Sequence, residues 1–358
     1  MMLTVLTLLL WLLALILMAV TLLPMLGTKS GIIRMMDFPR LQIAFAAAAV
    51  LVMAAATPMP GRVLIPLAML AVCGYQLWRI LPYTILARTE LRLAPNAEDA
   101  VRILSVNVLM ENDRHADLAG IIADFDPHIL LLMETDEAWV SALEPLLARY
   151  ETVIREPRDD HYGMIFATRL QVDEARVMHL TVDETPSIFA QLNDPQGRCF
   201  RFVGLHPKPP LPGEGTEDRD AQILYAARFA RKANVPLVAT GDFNDVAWSD
   251  TSQTFKHVGR YLDPRIGRGL YASFDATKPY LRFPIDQFYV SREVAVVSLK
   301  RLSFFGSDHF PMAATVRFDA NLAETLNEAP RQISDEEEAL IKQSVDRTRD
   351  ELGHVKLN

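Results

Sequence analysis

The chain is poor in cysteine: Cys73 and Cys199 are the only two in 358 residues. Cys73 sits inside an apolar run and Cys199 in an unrelated stretch far along the chain, so no disulfide framework is implied. No Cys/His cluster has the spacing of a zinc site either, and the two cysteines leave the redox compartment undecided. Beyond the first quarter, positive charge is outnumbered. Residues 90–358 hold 30 of the 36 Lys/Arg and 43 of the 44 Asp/Glu, a balance of about −13. A domain of that charge has no broad basic face for indiscriminate phosphate-backbone binding, although a local basic groove and acids neutralised by metal remain open. Internal repeats and low-complexity segments are absent.

What the sequence has in excess is hydrophobicity, half of all residues, concentrated at the front. Leu3 to Leu26 is an uncharged apolar run of about 24 residues, more than a bilayer core requires. An Ala-rich run from Leu41 to Thr57 and a third from Val63 to about Leu86, which carries Gln76 and Arg79, complete a segment over 1–89 read as three transmembrane helices. A buried helical hairpin is the alternative for the last two, because Pro58 to Gly61 makes a tight turn between them. The first run lacks a basic leader and is too long for a cleavable signal, so it stays as an anchor. Lys29, Arg34 and Arg40 follow it, the next turn holds only Arg62, and Arg88 and Arg92 follow the third run. The positive-inside rule then places the large domain in the cytoplasm of an integral, multi-pass protein, an orientation that losing one helix would reverse.

Residues 90–100 read as a linker, 101–318 as a soluble domain and 319–358 as an acidic tail, in which Ser334 to Glu337 fits a capping box and Gly353 could close the helix. In the domain, Val101 to Val108 is a strand, Arg114 to Asp124 has helical periodicity, and His128 to Met133 is a buried strand. Strand, helix and strand at this spacing make a layered α/β domain. Glu137 to Tyr150 is helical; Tyr162 to Thr168, Ser187 to Leu192 and Arg198 to Leu205 are strands; Arg219 to Asn234 is an amphipathic helix. Val235 to Asp245 is an apolar strand that stops at Gly241 and would present Asp242 and Asn244 on one side, though Gly-Asp-x-Asn is also a good turn. Phe283 to Ser291, Val294 to Leu302 and Met312 to Phe318 complete the β pattern.

One residue class recurs where apolar runs stop: Asn107, Glu134, His206, Asp242 with Asn244, Asp286, and Asp308 with His309. Several strand ends at one sheet edge would gather them into a site of metal ligands, a base near neutral pKa and neutral donors, with no Ser or Cys placed as a covalent nucleophile.

The ordered set Ser105-Val-Asn107, Leu132-Met-Glu134, Gly204-Leu-His206, Gly241-Asp-Phe-Asn244, Pro284-Ile-Asp286 and Ser307-Asp-His309 resembles the endonuclease/exonuclease/phosphatase superfamily, also called deoxyribonuclease I-like, over about Val101 to Phe318. The resemblance implies a four-layer α/β sandwich, two mostly antiparallel sheets packed together with helices outside, and divalent-metal hydrolysis of a phosphate ester. It implies that Glu134 is the principal ligand of Mg²⁺ or Mn²⁺, supported by Asn107 and Asp308. It further implies that His309 is the catalytic histidine oriented by Asp286, that Asp242 positions or deprotonates the attacking water, and that Asn244 and His206 donate to the phosphoryl oxygens. Gln287 stands where many relatives have a His or another polar residue, and Tyr271-Ala-Ser-Phe274 where a Thr-Trp pair is common, so substrate preference does not carry over. His161, Tyr162 and Gln287 are further candidates for lining the cleft. A membrane-anchored nuclease is the leading expectation; a phosphoesterase acting on phospholipid or inositol phosphate at the bilayer surface is the alternative, and a catalytically silent scaffold the remote one. No protein partner is evident.

Overall fold

The computed structural model describes residues 1–180, 185–231, 235–330 and 339, so the helix expected from Ser334 lies outside the described residues. The chain divides into two compact units, one made of Met1–Arg88 with Pro210–Thr216 and the other of Thr89–Pro209 with Glu217–Asn358.

The first unit is helical: α1 (Met2–Leu22), α2 (Gly31–Met35), α3 (Arg40–Ala56) and α4 (Leu64–Ile80). Leu10, Ala14, Ala47, Val50, Ile65 and Met69 form its interior, where alanines let the helices approach closely. Its buried polar groups satisfy one another: Arg40 bonds Asp37 and the Gln76 carboxamide oxygen (2.8 Å), and the Gln76 amide donates to Thr21 Oγ1 (2.9 Å). Arg40 is therefore a compensated interior residue, and counting it as free loop charge overstates the asymmetry behind the expected orientation. The outward side chains are apolar, with Leu8, Leu15, Phe45, Leu67, Leu70 and Trp78 all more than half exposed. Two apolar stretches, Met2–Leu26 and Leu64–Tyr83, are long enough to cross a membrane, a test that a signal sequence or a soluble core helix also passes. Arg40–Ala56 is shorter, so the expected three spans reduce to two by length. Residues 29–31 pair with 214–216 in a short antiparallel clasp, Gly31 N donating to Glu214 O at 2.8 Å and Thr216 N to Lys29 O at 2.9 Å.

The second unit is a layered α/β sandwich. In chain order it comprises β1 (Val101–Asn107), α5 (His115–Phe125), β2 (Ile129–Met133), α6 (Glu137–Leu147), β3 (Thr152–Glu156), β4 (Met164–Thr168), β5 (Gln171–His179), β6 (Pro186–Asn193) and β7 (Cys199–Leu205). It continues with α7 (Glu217–Arg231), β8 (Leu237–Asp242), α8 (Asp250–Gly259), β9 (Asp286–Val290), β10 (Ala295–Arg301), β11 (Met312–Arg317) and α9 (Ala320–Leu326). Among the described residues one sheet has the order β10-β11-β1-β2-β4-β3 and the other β5-β6-β7-β8-β9. Each is antiparallel except for one interior parallel pair, β1 with β2 and β7 with β8.

That exception positions the site, because two parallel neighbours end at the same edge. β2, β4 and β8 are buried along their whole length, as expected of strands covered on both faces. Leu131, Met133, Phe166, Phe202, Val238 and Phe288 fill the space between the sheets. Trp139 and Leu143 of α6 and Leu118 of α5 cover the first sheet; Ile223 of α7 and Phe255 of α8 cover the second. Within the segment expected as a linker, Ala94 N donates to Val296 O at 2.7 Å, and Ala94 packs on Ala295 and on Ala323 of α9.

Candidate active site

The two parallel pairs deliver four polar residues where their strands stop: Asn107 ends β1, Glu134 follows β2, His206 follows β7 and Asp242 ends β8. Asp286 opens β9, antiparallel to β8 and directly opposite Asp242, while Asp308 and His309 precede β11, which returns beside β1. The strand ends are turned sharply. Glu134 has φ of 61° and Asn244 of 49°, left-handed conformations uncommon for side-chain-bearing residues. Gly241 has φ of 137°, and a Cβ there would lie 2.0 Å from the Leu205 carbonyl oxygen, so only glycine lets β8 close on β7 next to Asp242.

Asn107 ties the sheets together, its amide donating to Glu134 Oε1 at 2.7 Å and to Asp242 Oδ2 at 3.1 Å, while its oxygen accepts from Leu109 N. His309 Nδ1 lies 2.7 Å from Asp286 Oδ2, and its Nε2 lies 3.6 Å from Asp242 Oδ2. The Ser307 hydroxyl donates to Asn107 O and accepts from His309 N, both at 2.9 Å, fixing the histidine loop to the end of β1. His206 Nε2 lies 3.9 Å from Asp242 and 4.0 Å from Glu134.

Electrostatics set this cluster apart. Among the described residues, Glu134, Asp242, Asp286 and Asp308 have no Lys or Arg ion-pair partner; those that pair at all do so with histidines. Burial disfavours charge on His309, but the Asp286 and Asp242 carboxylates outweigh it and hold the imidazole at about 10. Burial pushes Asp242 upward, with His309 opposing and Asp286 reinforcing the shift. Asp308 is likewise raised by burial, and the Glu134 charge adds to the shift against the pull of His309.

The donor set fits a hard divalent cation. Asp242, Asp286 and His309 each bring one donor atom within 4.8 Å of the others. His309 Nδ1, however, is engaged with Asp286, which leaves the Glu134 and Asp308 carboxylates, with Asn107 bonded to Glu134, as the oxygen donors without a Lys or Arg partner among the described residues. Carboxylate and carboxamide oxygens without sulfur suit Mg²⁺ or Mn²⁺ rather than a thiophilic metal.

Two expectations are revised. Asp242 and Asn244 do share a side, but through a turn in which Asn244 N donates to Asp242 Oδ1 at 2.8 Å, since β8 has already ended. The Asn244 amide also donates to Pro207 O at 2.9 Å, leaving one of its hydrogens for a ligand. Gln287 does not line the cleft: it follows Asp286 on a strand and faces the other way, where its amide donates to Asp245 O and Ser252 Oγ and its oxygen accepts from Arg265 and Tyr289. His161 and Tyr162 are at the site: His161 Nδ1 lies 3.4 Å from Glu134 Oε2, and the Tyr162 ring is 5.5 Å from that of His206.

Two contributors escaped sequence reasoning. Arg219 of α7, fully buried, donates to the Asn244 carbonyl at 3.3 Å and lies 3.5 Å from Asp245, and no local pattern marks an arginine for that role. The Phe274 ring lies tilted against that of His309, centroids 4.9 Å apart; its place in the Tyr271–Phe274 motif was the available signal.

The family model described as Endonuclease/Exonuclease/phosphatase family matches residues 104–309. No curated protein matches the sequence. Among solved structures, D. rerio TDP2 complexed with single strand DNA product is similar at 16% identity and a TM-score of 0.51, over 61% of this chain and 99% of that one. The endonuclease/exonuclease/phosphatase from Beutenbergia cavernae DSM 12333 is similar at 16% identity and a TM-score of 0.50, over 62% and 72%. At these identities the likeness is one of fold.

Proposed function

Because the chain belongs to the endonuclease/exonuclease/phosphatase family and is a hydrolase of phosphate ester bonds, we propose that it is a membrane-anchored, Mg²⁺- or Mn²⁺-dependent phosphodiesterase acting on nucleic acid by direct attack of water. The observation that carries this reading is the cluster of four carboxylates without a Lys or Arg ion-pair partner among the described residues, with a histidine lying between two of them. Glu134, Asp308 and Asn107 hold the metal, which when bound supplies positive charge to the phosphoryl group and the developing oxyanion. Asp242 orients the attacking water, and its proton passes to the coupled Asp242–His309 pair, whose titration belongs to the pair rather than to either residue. Asp286 fixes the His309 ring and stabilises its charged form. His206 and Asn244 donate to phosphoryl oxygens as negative charge builds, a contribution worth about 3 kcal/mol per donor in comparable sites. His161 and Tyr162 line the approach to Glu134 and His206.

The nucleic-acid reading is supported by the DNA product named for the similar D. rerio structure. The exposed apolar side chains of α1, α3 and α4 support seating of the helical unit in a bilayer, and they favour a second reading in which the ester is a phospholipid or inositol phosphate. Full-length protein in detergent, given single- and double-stranded DNA, RNA, phospholipid and inositol phosphates with Mg²⁺ or EDTA, tests both. Metal-dependent cleavage of nucleic acid that His309→Ala abolishes is expected; cleavage confined to lipid or inositol phosphates replaces the first reading with the second.

A further inference from the structure

Immediately beyond His309 the surface changes sign. The Phe310 ring carries two guanidinium groups, Arg282 Cζ at 5.0 Å and Arg301 Cζ at 4.4 Å from its centroid. They arrive from different places, Arg301 from the end of β10 and Arg282 from the 275–283 turn, whose Ala276 N donates to the Asp308 carbonyl at 2.6 Å. Each is held by backbone alone, Arg301 donating to Ala272 O at 2.6 Å and Arg282 to Ala276 O at 3.1 Å. Among the described residues neither pairs with a carboxylate, in a domain where acids outnumber bases, and the Arg282 Nε is buried without a partner. Two like charges fixed near one ring repel each other, and the ring face and two carbonyl oxygens offset that repulsion without a carboxylate. Loss of solvent and then the charge of Arg282 push the Arg301 pKa below its usual value. Beside them Phe304 meets Phe310 edge-on at 6.2 Å, is 44% exposed, and has Arg114 at 5.9 Å from its ring. Fixed guanidiniums bind phosphate oxygens in a fork, and an exposed ring next to them stacks a base.

We propose that Arg282 and Arg301 form a second phosphate subsite beside the scissile position, with Phe304 as a stacking platform, so that the substrate is a single nucleic acid strand whose neighbouring phosphate and base are both bound. The proposal rests on the nucleic-acid reading above and goes beyond it by placing the strand on one side of the site, along Phe310 and Phe304. It also suggests how an acidic domain handles a polyanion: two guanidinium groups beside the histidine loop are left without a carboxylate among the described residues.

The test uses the full-length chain in detergent and a fluorescein-labelled ten-residue oligothymidylate. Binding is read by anisotropy with the His309→Ala chain in EDTA, so that no cleavage is needed. Arg282→Gln and Arg301→Gln should each weaken binding about tenfold and flatten the salt dependence by about 0.7 in log–log slope, Arg301→Lys should restore the slope but only part of the affinity, and Phe304→Ala should weaken binding without changing the slope. In the active chain the two Gln variants should raise KM tenfold or more while kcat moves less than threefold. Unchanged oligonucleotide affinity in both Gln variants overturns the subsite, as does an equal fall in kcat with KM unmoved. Inositol hexakisphosphate binding that depends on the arginines while the oligonucleotide does not bind overturns the strand. If no substrate is cleaved yet arginine-dependent oligonucleotide binding is found, the subsite stands and the hydrolytic reading of this substrate fails.

Discussion

The two ends of the β1–β2 pair treat charge in opposite ways. At the end where β2 begins, Asp126 is matched by two arginines, Arg102 and Arg169, each at 2.6 Å, and Arg169 lies over the Tyr150 ring at 4.8 Å. The result is a carboxylate held below its ordinary range, first by the Arg169 hydrogen bond. At the other end Glu134, Asp242, Asp286 and Asp308 crowd together with histidines for company; Asp242 is pushed upward by burial and by Asp286, Asp308 by burial and by Glu134. Both ends close the same β1–β2 pair, although Asp242 and Asp286 reach the second end from the other sheet. A carboxylate that serves structure is given its counter-charge by the chain; one that serves chemistry is left for a cation and a substrate to complete.

Substitution at either end should separate these roles. Glu134→Gln or Asp242→Asn is expected to lower kcat by about a thousandfold or more, some 4 kcal/mol of transition-state stabilisation, with little loss of thermal stability. Asp126→Asn should do the reverse, leaving kcat within about twofold and costing about 1 kcal/mol, the scale of partly exposed ion pairs. Steady-state kinetics on the cleaved substrate and melting temperatures of the three variants decide the matter; a large kcat loss in Asp126→Asn would break the comparison. Asp286→Asn ranks next. It keeps the shape but cannot accept from the His309 ring as a carboxylate does, and a fall of about 10²–10³ in kcat is expected. Because the Asp286 charge helps to hold His309 up, NMR titration of the His309 ring should find its pKa lowered in this variant.

The comparison also shows why parts of the protein could be read from sequence and others not. β2, β4 and β8 were legible because both of their faces are buried, so their codes are unbroken apolar runs. Asn107, Glu134, His206 and Asp242 could be placed at one edge for the same reason, since each marks the point where such a run stops, whereas Asp286 opens a strand and His309 precedes one. β3 and β5 were missed. They are the outer strands of their sheets, half exposed along their length, and Gln171-Val-Asp-Glu-Ala-Arg-Val carries charge where an interior strand would carry valine. α8 was hidden in a polar stretch: its start is set by Ser249, whose side chain accepts from Ser252 N, and few apolar residues mark its buried face. Gln287 was misassigned because adjacency in sequence means opposite faces on a strand, and Arg219 reaches Asn244 only through the packing of α7 beside β8.

The structural end makes its own prediction about pH. His128 accepts from Arg102 N at 3.0 Å through Nδ1, and burial, then the Arg102 and Arg169 charges, lower its pKa to about 4. In the unfolded chain the same histidine titrates near 6.5, so between these values the unfolded state binds the proton and the folded state does not. Stability from this group is thus complete above about pH 6.5 and is lost as pH falls toward 4, by about 1.5 kcal/mol once partial exposure is allowed for. Melting the full-length chain in detergent from pH 7 to 4 should show that loss, and His128→Gln should show less of it; identical pH profiles would sink the assignment.

The smallest expected effect bears most directly on the contrast. Without metal, Asp308 is a half-buried carboxylate facing the charge of Glu134, and His309 offsets this only in part. Removing its charge should therefore stabilise the metal-free protein, an outcome opposite in sign to Asp126→Asn. Asp308→Asn in EDTA is expected to gain about 1 kcal/mol, a rise of a few degrees in melting temperature for a chain of this size. Adding Mg²⁺ should reverse the order. The wild type gains stability in proportion to the logarithm of metal over its dissociation constant, and the variant, short of a ligand, gains less. A variant that is less stable than wild type in EDTA would mean that Asp308, like Asp126, is already paid in full by its neighbours, and that the charge left open at this end of the sheet lies on Glu134 and Asp242 alone.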